Sequence, residues 1–186
     1  ILITGGAGFI GSNYISLIDP NEYQIYVCDQ FNNSFQWDNL KKISIEEVIP
    51  PSKISSWLKS KKNLDYIIHM GAISSTTEKN VNLLLASNFE FSKVLWNYAT
   101  LNSIPFIYAS SASVYGNGDK GYSDNDSLTS KLSPLNAYGW SKLLFDKWVL
   151  KECKLNNKPP IWAGLRFFNV YGPRESHKGD MKSMVT

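Results

Sequence analysis

The feature that most constrains this chain is a cluster of glycines close to its first residue. Residues 5–11 read GGAGFIG, follow a short apolar run and open an amphipathic stretch. Two phosphate-loop spacings are satisfied together, because Gly5 and Gly6 both lead through Gly8 to Gly11. Glycines at these positions allow a tight turn from strand to helix, a close approach of the backbone to a pyrophosphate, and close packing of helix on strand. The pattern therefore predicts that Gly5, Gly8 and Gly11 bind a dinucleotide at the N-terminus of a helix.

Composition and charge exclude several kinds of protein. The chain has 186 residues and a net charge of +3, and its lysines are scattered, so we expect no nucleic-acid partner. No apolar run reaches a membrane span of about 18 residues, and no signal-peptide pattern is present, which predicts no membrane association. Cys28 and Cys153 follow no metal-ligand spacing. They predict a reducing, cytoplasmic location and no metal site.

Strand and helix signals alternate along the chain, and several strands are continuous apolar runs. This pattern predicts an α/β fold with a doubly wound parallel (Rossmann) sheet that is covered on both faces. Residues 1–172 are predicted to form the dinucleotide-binding domain, and residues 173–186 the start of a substrate-binding region whose smaller C-terminal lobe is largely absent. The polar stretch 116–135 is long enough to predict a functional loop. The predicted strands are 1–3, 24–28, 42–45, 66–70, 106–109 and 161–166, and the predicted helices are 9–18, 52–59, 81–101 and 137–154.

An acidic residue ends the second predicted strand. Asp29 follows the glycine loop at about the distance at which a carboxylate accepts hydrogen bonds from the adenosine ribose hydroxyls. A 2′-phosphate would require a nearby cation. Residues 29–33 contain none, which favours NAD, although Lys41 and Lys42 follow. The alternative is that Asp29 only caps a loop.

Tyr138 and Lys142 are four residues apart, which places them on one face of the last predicted helix. A phenol with an ordinary pKa of about 10 is a poor base at neutral pH. We expect the neighbouring ammonium and a positively charged nicotinamide ring to lower the pKa of Tyr138, so that the phenol exchanges a proton with an alcohol, while Lys142 also holds the nicotinamide ribose. By itself this pair is a common surface coincidence.

A serine-rich segment, residues 108–116 (YASSASVYG), follows the fifth predicted strand. Ligands bind at the carboxyl ends of strands in open α/β sheets, and a hydroxyl there can hydrogen-bond the oxygen of an alcohol or carbonyl. A serine-rich turn is an equally good explanation of this segment alone. The order of glycine loop, acid, serines and Tyr/Lys pair makes the combination specific.

Four motifs together resemble the extended short-chain dehydrogenase/reductase superfamily of nucleotide-sugar epimerases and dehydratases. They are TGGAGFIGS at 4–12, YASSASVYG at 108–116, YGWSK at 138–142 and RFFNVYGPR at 166–174. Two segments, HMGAISSTTE at 69–78 and GPRESHKGDM at 172–181, resemble the versions found in ADP-L-glycero-D-manno-heptose 6-epimerases. The resemblance spans essentially the whole chain.

The resemblance implies roles for individual residues. A catalytic trio is implied at Ser111, Tyr138 and Lys142, with Lys178 as a second acid/base on the opposite face of the sugar. Contacts to the sugar nucleotide are implied for Ser111, Asn169 and Asp180. Such epimerases usually prefer NADP and carry a lysine where Gln36 stands here, so both NADP and NAD remain open. The implied cofactor contacts, beyond the glycines, are Phe9, Ile10, Asp29, Gln30, Met70, Gly71, Ala72, Ile73, Ser74, Asn88, Tyr138, Lys142, Val170 and Lys178.

The implied function is inversion of C6 of ADP-glycero-manno-heptose through a 6-keto intermediate, in lipopolysaccharide core synthesis, by a homo-oligomer. One alternative is another nucleotide-sugar epimerase or a 4,6-dehydratase, although a dehydratase would carry an Asp-Glu pair where Ala112 and Ser113 stand. A second is a dinucleotide sensor without catalysis, and a third is a chain that binds cofactor but is inactive without its second lobe.

Two charged or polar strand residues are predicted to be structural. His69 ends an apolar strand and is expected to be a hydrogen-bonded core residue. Arg166 is flanked by apolar residues on a strand and is expected to form an ion pair.

Overall fold

A computed structural model describes residues 1–31, 35–60 and 63–175, except for the side chain of Phe35. It shows an α/β fold with a six-stranded parallel sheet in the order β3-β2-β1-β4-β5-β6. This is the strand order of a Rossmann sheet, so the predicted fold class is confirmed. The strands are β1 Leu2–Thr4, β2 Tyr26–Cys28, β3 Glu47–Ile49, β4 Ile67–His69, β5 Phe106–Ser111 and β6 Trp162–Phe167.

The predicted helices are present, and the last one is reproduced at both ends. Asn136 caps it, because its side-chain carbonyl accepts a hydrogen bond from the backbone N–H of Gly139 at 2.7 Å. The predicted helix 81–101 contains a π-helical turn, Leu85–Glu90, between two α-helical parts. The helices are α1 Phe9–Ile15, α2 Phe35–Asp38, α3 Ile54–Ser60, α4 Val81–Leu84, α5 Phe91–Leu101 and α6 Ala137–Lys154, with 3-10 turns at Pro51–Lys53, Ala112–Tyr115 and Asp126–Lys131.

The predicted third strand, residues 42–45, is wrong. The chain there turns after α2, with the N–H of Ile43 bonded to the carbonyl of Leu40 at 2.9 Å. The strand begins at Glu47 instead and pairs in parallel with β2, with Val48 opposite Val27. Two of the three residues of β3 are exposed, so hydrophobic patterning carried little signal for it.

The chain divides into two compact units, Ile1–Gly71 with Asn169–Thr186, and Ala72–Phe168. In the first unit β1 pairs with β2 on one side and with β4 on the other, so that Ile3 lies opposite both Val27 and Ile68. The three residues of each of these strands are buried, which explains why they are apolar runs. The predicted boundary at residue 172 stays a prediction.

The second unit is built on β5 and β6, which pair in parallel over six residues. Its core is rich in aromatic side chains around Trp96, which makes edge-to-face contacts with Phe106 and Phe145 at centroid distances of 5.6 and 6.5 Å. Helix α6 packs on β5 and supplies the buried Leu143, Phe145 and Val149. The helix that carries the predicted catalytic pair is therefore fixed by a large apolar contact.

No helix within the described ranges combines the length and apolarity that a bilayer crossing requires. Within the same ranges, no three His, Cys, Asp or Glu side chains converge in a way that could hold a metal ion.

Candidate active site

The glycine loop joins β1 to α1 in the first unit and requires glycine at its first position. Gly5 adopts φ +67°, and a Cβ there would lie 2.6 Å from the backbone nitrogen of Gly71 and 2.8 Å from the carbonyl carbon of Met70. A side chain would therefore be strained and would collide with backbone. Within this unit, the structure brings Met70 and Gly71, two of the predicted cofactor residues, against the loop.

Gly11 lies in the first turn of α1, directly against the loop backbone. A Cβ there would overlap the carbonyl oxygen of Gly5 and lie 2.9 Å from the Cα of Gly6. A Cβ on Gly8 would meet only the Gly5 carbonyl oxygen, at 3.2 Å. The loop is thus a narrow backbone cradle at a helix N-terminus, and it fits the pyrophosphate of a dinucleotide.

The carboxylate of Asp29 is hydrogen-bonded to the backbone of the glycine loop. One carboxylate oxygen accepts a hydrogen bond from the N–H of Ala7 at 2.7 Å, and the other accepts from the N–H of Gln30 at 2.7 Å. The loop-capping alternative is therefore observed, and the contact to Ala7 is a role that sequence reasoning missed. Half-buried Asp29 also lines a cavity of about 360 Å³ in this unit, and its described lining contains no lysine or arginine: Asp29, Gln30, Phe31, Val48, Pro50, Pro51 and Ser52.

The buried His69 connects the ends of β1 and β4. Its Nδ1 lies 2.6 Å from the hydroxyl oxygen of Thr4, which also accepts a hydrogen bond from the N–H of Gly71 at 3.0 Å. With 2% of its surface exposed, His69 is a hydrogen-bonded core residue, as predicted. The contact fixes Gly71 next to the glycine loop.

Asn88 organises the second unit around the π-helical turn. Its carbonyl oxygen accepts from the N–H of Ile73 at 2.8 Å, and its amide donates to the carbonyl of Ile73 and to the Ser141 hydroxyl, both at 3.0 Å. Ser141 in turn donates to the carbonyl of Tyr138 at 2.7 Å. Asn88 is 1% exposed. It joins the segment after β4 to α6, and its predicted contact with the cofactor stays a prediction.

The predicted catalytic trio is assembled within the second unit. Ser111 ends β5, Tyr138 lies in the first turn of α6 and Lys142 lies one turn further on, and all three side chains are buried. The hydroxyl of Ser111 accepts a hydrogen bond from the N–H of Ser113 at 3.1 Å, and its interaction with the phenol of Tyr138 acts to lower the pKa of that phenol. A phenol and a hydroxyl held together in this way can share an alcohol or carbonyl oxygen between them.

Burial shifts the pKa values of two members of the trio. Burial raises the pKa of Tyr138 above its ordinary value, and the interaction with Ser111 only partly opposes that rise. The pKa of Lys142 is lowered to about 8 by burial, against the opposing charge of Asp146. Without ligand, desolvation is the larger effect on Tyr138, and the lowering of its pKa beside a bound nicotinamide ring stays a prediction.

The remaining predicted residues occupy several environments. In the first unit, Phe9 is buried and within 3.5 Å of a Cβ position on Gly172, Ile10 and Val170 are half-buried, and Asn169 is exposed. Ala72 and Ser74 belong to the second unit and are half-buried or exposed. Lys178 and Asp180 lie outside the described residues.

The comparisons with known proteins agree with this arrangement. A model of the NAD dependent epimerase/dehydratase family matches residues 1–186, and the chain belongs to that family. It is similar to the ADP-L-glycero-D-manno-heptose-6-epimerase of Fusobacterium nucleatum, with 44% identity over 100% of this chain and 57% of the relative. The corresponding epimerase of Nitratidesulfovibrio vulgaris is 39% identical over 99% of this chain and 57% of its own length.

Solved structures give the same result for the fold. The ADP-L-glycero-D-manno-heptose-6-epimerase of Helicobacter pylori superposes with a TM-score of 0.83 at 36% identity, over 99% of this chain and 59% of that one. The UDP-glucuronic acid 4-epimerase of Bacillus cereus, solved in complex with NAD, superposes with a TM-score of 0.74 at 27% identity, over 93% of this chain and 57% of that one. The chain thus spans somewhat more than half the length of these relatives.

Proposed function

We propose that this chain is part of a nucleotide-sugar epimerase that inverts C6 of ADP-glycero-manno-heptose. The observation that carries the proposal is the grouping of three buried side chains: Ser111 interacts with the phenol of Tyr138, and Lys142 lies one helical turn away. The similarity to heptose epimerases over the whole chain supports the choice of substrate. Because the relatives are longer, activity is a property of the complete protein.

The reaction has a specific chemical demand. The carbon to be inverted bears an alcohol, and its C–H bond is not acidic enough for simple deprotonation. When bound, the nicotinamide supplies a hydride acceptor and donor, which permits a planar ketone to form and to be rebuilt with inverted configuration. The narrow cradle formed by Gly5 and Gly11, with Asp29 beside it, fits the pyrophosphate and ribose of this cofactor.

The protein supplies proton transfer and orientation. Tyr138 accepts the hydroxyl proton and later returns it, while Ser111 hydrogen-bonds the same oxygen in both the alcohol and the ketone. Lys142 contributes positive charge that favours the phenolate. For the second face of the ketone we propose Lys178 as the acid/base, with Asn169 and Asp180 binding the sugar nucleotide.

Incubation of the complete protein with ADP-heptose and cofactor tests this function. We expect NMR to show the C6 signals of one epimer converting to those of the other until both are present at equilibrium. Turnover of a UDP- or dTDP-sugar with no change in ADP-heptose would instead assign another epimerase or a dehydratase. Tight cofactor binding with no turnover of any of these sugars would favour a dinucleotide sensor.

We predict that the cofactor is NAD rather than NADP. A 2′-phosphate would lie close to the Asp29 carboxylate, and the described cavity lining beside it offers no lysine or arginine. The dissociation constant for NADP should exceed that for NAD by at least about tenfold, which corresponds to about 1.4 kcal/mol. Calorimetric titration of the protein with each cofactor measures the ratio.

The variant Asp29→Asn separates charge from shape in this prediction. Its amide oxygen can still accept from Ala7, while the repulsion of a 2′-phosphate is removed, so the ratio of the two dissociation constants should fall towards one. The matched control is Asp65→Asn, an exposed acid of the same unit, which should keep the wild-type ratio. Tighter binding of NADP than of NAD by the wild-type protein would reject the prediction.

A further inference from the structure

Helix α6 carries a third ionisable residue on the face that bears Tyr138 and Lys142. Asp146 follows Lys142 by four residues, so the three side chains occupy successive turns. Asp146 is 4% exposed. One oxygen accepts from the phenol of Tyr108 at 3.0 Å, and the other accepts from the Ser110 hydroxyl at 2.9 Å. None of the sequence motifs contains this acid.

The contacts of Asp146 and Lys142 fall on consecutive residues of β5. Asp146 binds the side chains of Tyr108 and Ser110, and the ammonium of Lys142 donates to the carbonyl of the intervening Ala109 at 2.8 Å. The next residue of the strand is Ser111. Two turns of α6 are thereby tied to three adjacent positions of β5, and this fixes the register that sets Tyr138 beside Ser111.

An arginine on β6 holds the carboxylate from the other side. The Nε of Arg166 donates to Asp146 at 3.3 Å, which confirms the predicted ion pair, and its other nitrogens donate to the phenol of Tyr115 and to the Thr129 hydroxyl at 3.3 and 2.8 Å. Burial raises the pKa of Asp146, and Arg166 with the two hydroxyl donors opposes that rise. Two ionisable groups, Tyr108 on β5 and Arg166 on β6, thus contact Asp146. Another ionisable group, Tyr138, lies one helical turn before Lys142.

We propose that Asp146 is a positioning residue for the reaction, which locks α6 to β5 in the register that pairs Tyr138 with Ser111 and whose charge keeps Lys142 cationic. Its role in catalysis rests on the proposed function, but its effect on Lys142 does not. Burial lowers the pKa of the Lys142 ammonium, and the anion one turn away counteracts this effect.

The test is an NMR titration of Lys142 in the cofactor-free protein, labelled with 13C at lysine Cε and assigned with a Lys142→Met variant. In the wild-type protein the midpoint should lie at about 8. In Asp146→Asn, which keeps the shape and loses the charge, we expect the midpoint to fall by about one pH unit. In the complete enzyme, the loss of activity as pH rises should move to lower pH by the same amount, because the cationic form of Lys142 is lost earlier.

Two controls separate charge from structure. Asp146→Glu retains the carboxylate and should restore the wild-type midpoint, and Asp119→Asn, which removes an exposed acid of the same unit, should leave it unchanged. An unchanged midpoint in a folded Asp146→Asn protein would overturn the proposal. If that variant does not fold, the double variant Asp146→Leu/Arg166→Met removes both members of the ion pair without leaving an orphan charge, and an unchanged midpoint there overturns it equally.

The outcomes distinguish the two proposals. A shifted midpoint in a protein that turns over no sugar rejects the proposed function and keeps the role of Asp146 in setting the charge of Lys142. An active enzyme whose Lys142 midpoint ignores Asp146 keeps the function and rejects the positioning role.

Discussion

A Gly11→Ala variant should lose NAD binding. The new methyl group would overlap the carbonyl oxygen of Gly5 and lie 2.8 Å from its carbonyl carbon, so either the loop or the start of α1 must move. Both obstacles are backbone atoms, which cannot rotate away as a side chain could. We expect the affinity for NAD to fall by more than about tenfold, and overpacking to lower the free energy of unfolding by about 1–3 kcal/mol. Calorimetric titration and urea unfolding measure the two effects.

A milder substitution and a control variant show whether that result is caused by the contact with the Gly5 backbone. Gly8→Ala introduces a milder contact, 3.2 Å from the same carbonyl oxygen, and should cost less stability than Gly11→Ala. Ser16→Ala changes an exposed residue at the end of α1 and should bind NAD like the wild-type protein. Wild-type affinity in a folded Gly11→Ala protein would show that the cradle is not where the cofactor binds.

Replacing Tyr138 with phenylalanine should abolish most of the epimerase activity. The substitution keeps the ring and removes the one group proposed to carry the hydroxyl proton, so the rate of C6 inversion should fall by about 10²–10⁴-fold. Because Tyr138 is buried and its hydroxyl interacts with Ser111, the loss of that one polar contact should lower the stability by only about 1 kcal/mol. Initial rates of epimer conversion by NMR and thermal unfolding of the complete protein provide the two measurements.

The matched control is Tyr122→Phe, which deletes the hydroxyl of an exposed tyrosine in the same unit and should leave the rate unchanged. A Tyr138→Phe enzyme that retains more than about a tenth of the wild-type rate would contradict the assigned role, since a proton-transfer group contributes at least about 10²-fold. Ser111 would then be the next candidate for the proton carrier.

The fold was predictable where physical signals were local. The glycine loop, the apolar runs of β1 and β4 and the helix of Ala137–Lys154 all appear in the structure where the sequence predicted them. The third strand was misplaced because Glu47–Ile49 is short and two of its residues are exposed. A strand of that kind is stabilised by its ladder with β2, and such a contact leaves little trace in a single sequence.

The grouping of the candidate site residues was predictable where spacing fixes geometry, while their catalytic roles stay predictions. Tyr138 and Lys142 were recognisable because four residues make one helical turn, and the resemblance placed Ser111 with them. The direction of the Tyr138 pKa was not predictable, because it depends on how much water the fold removes from the phenol. Asp146 was missed for a similar reason: its partners lie 20 to 38 residues away in sequence, and only the packing of α6 on β5 and β6 reveals them.

The π-helical turn Leu85–Glu90 is locally less stable than a regular α-helix over the same residues would be. Deleting one residue there would restore the regular α-helical pattern of backbone hydrogen bonds, which is locally favourable. The same deletion would rotate one side of the turn against the other by about 100°, and Asn88 could no longer reach both Ile73 and Ser141. Local helix stability and the contacts of Asn88 that join Ile73 to Ser141 are therefore in conflict at this turn.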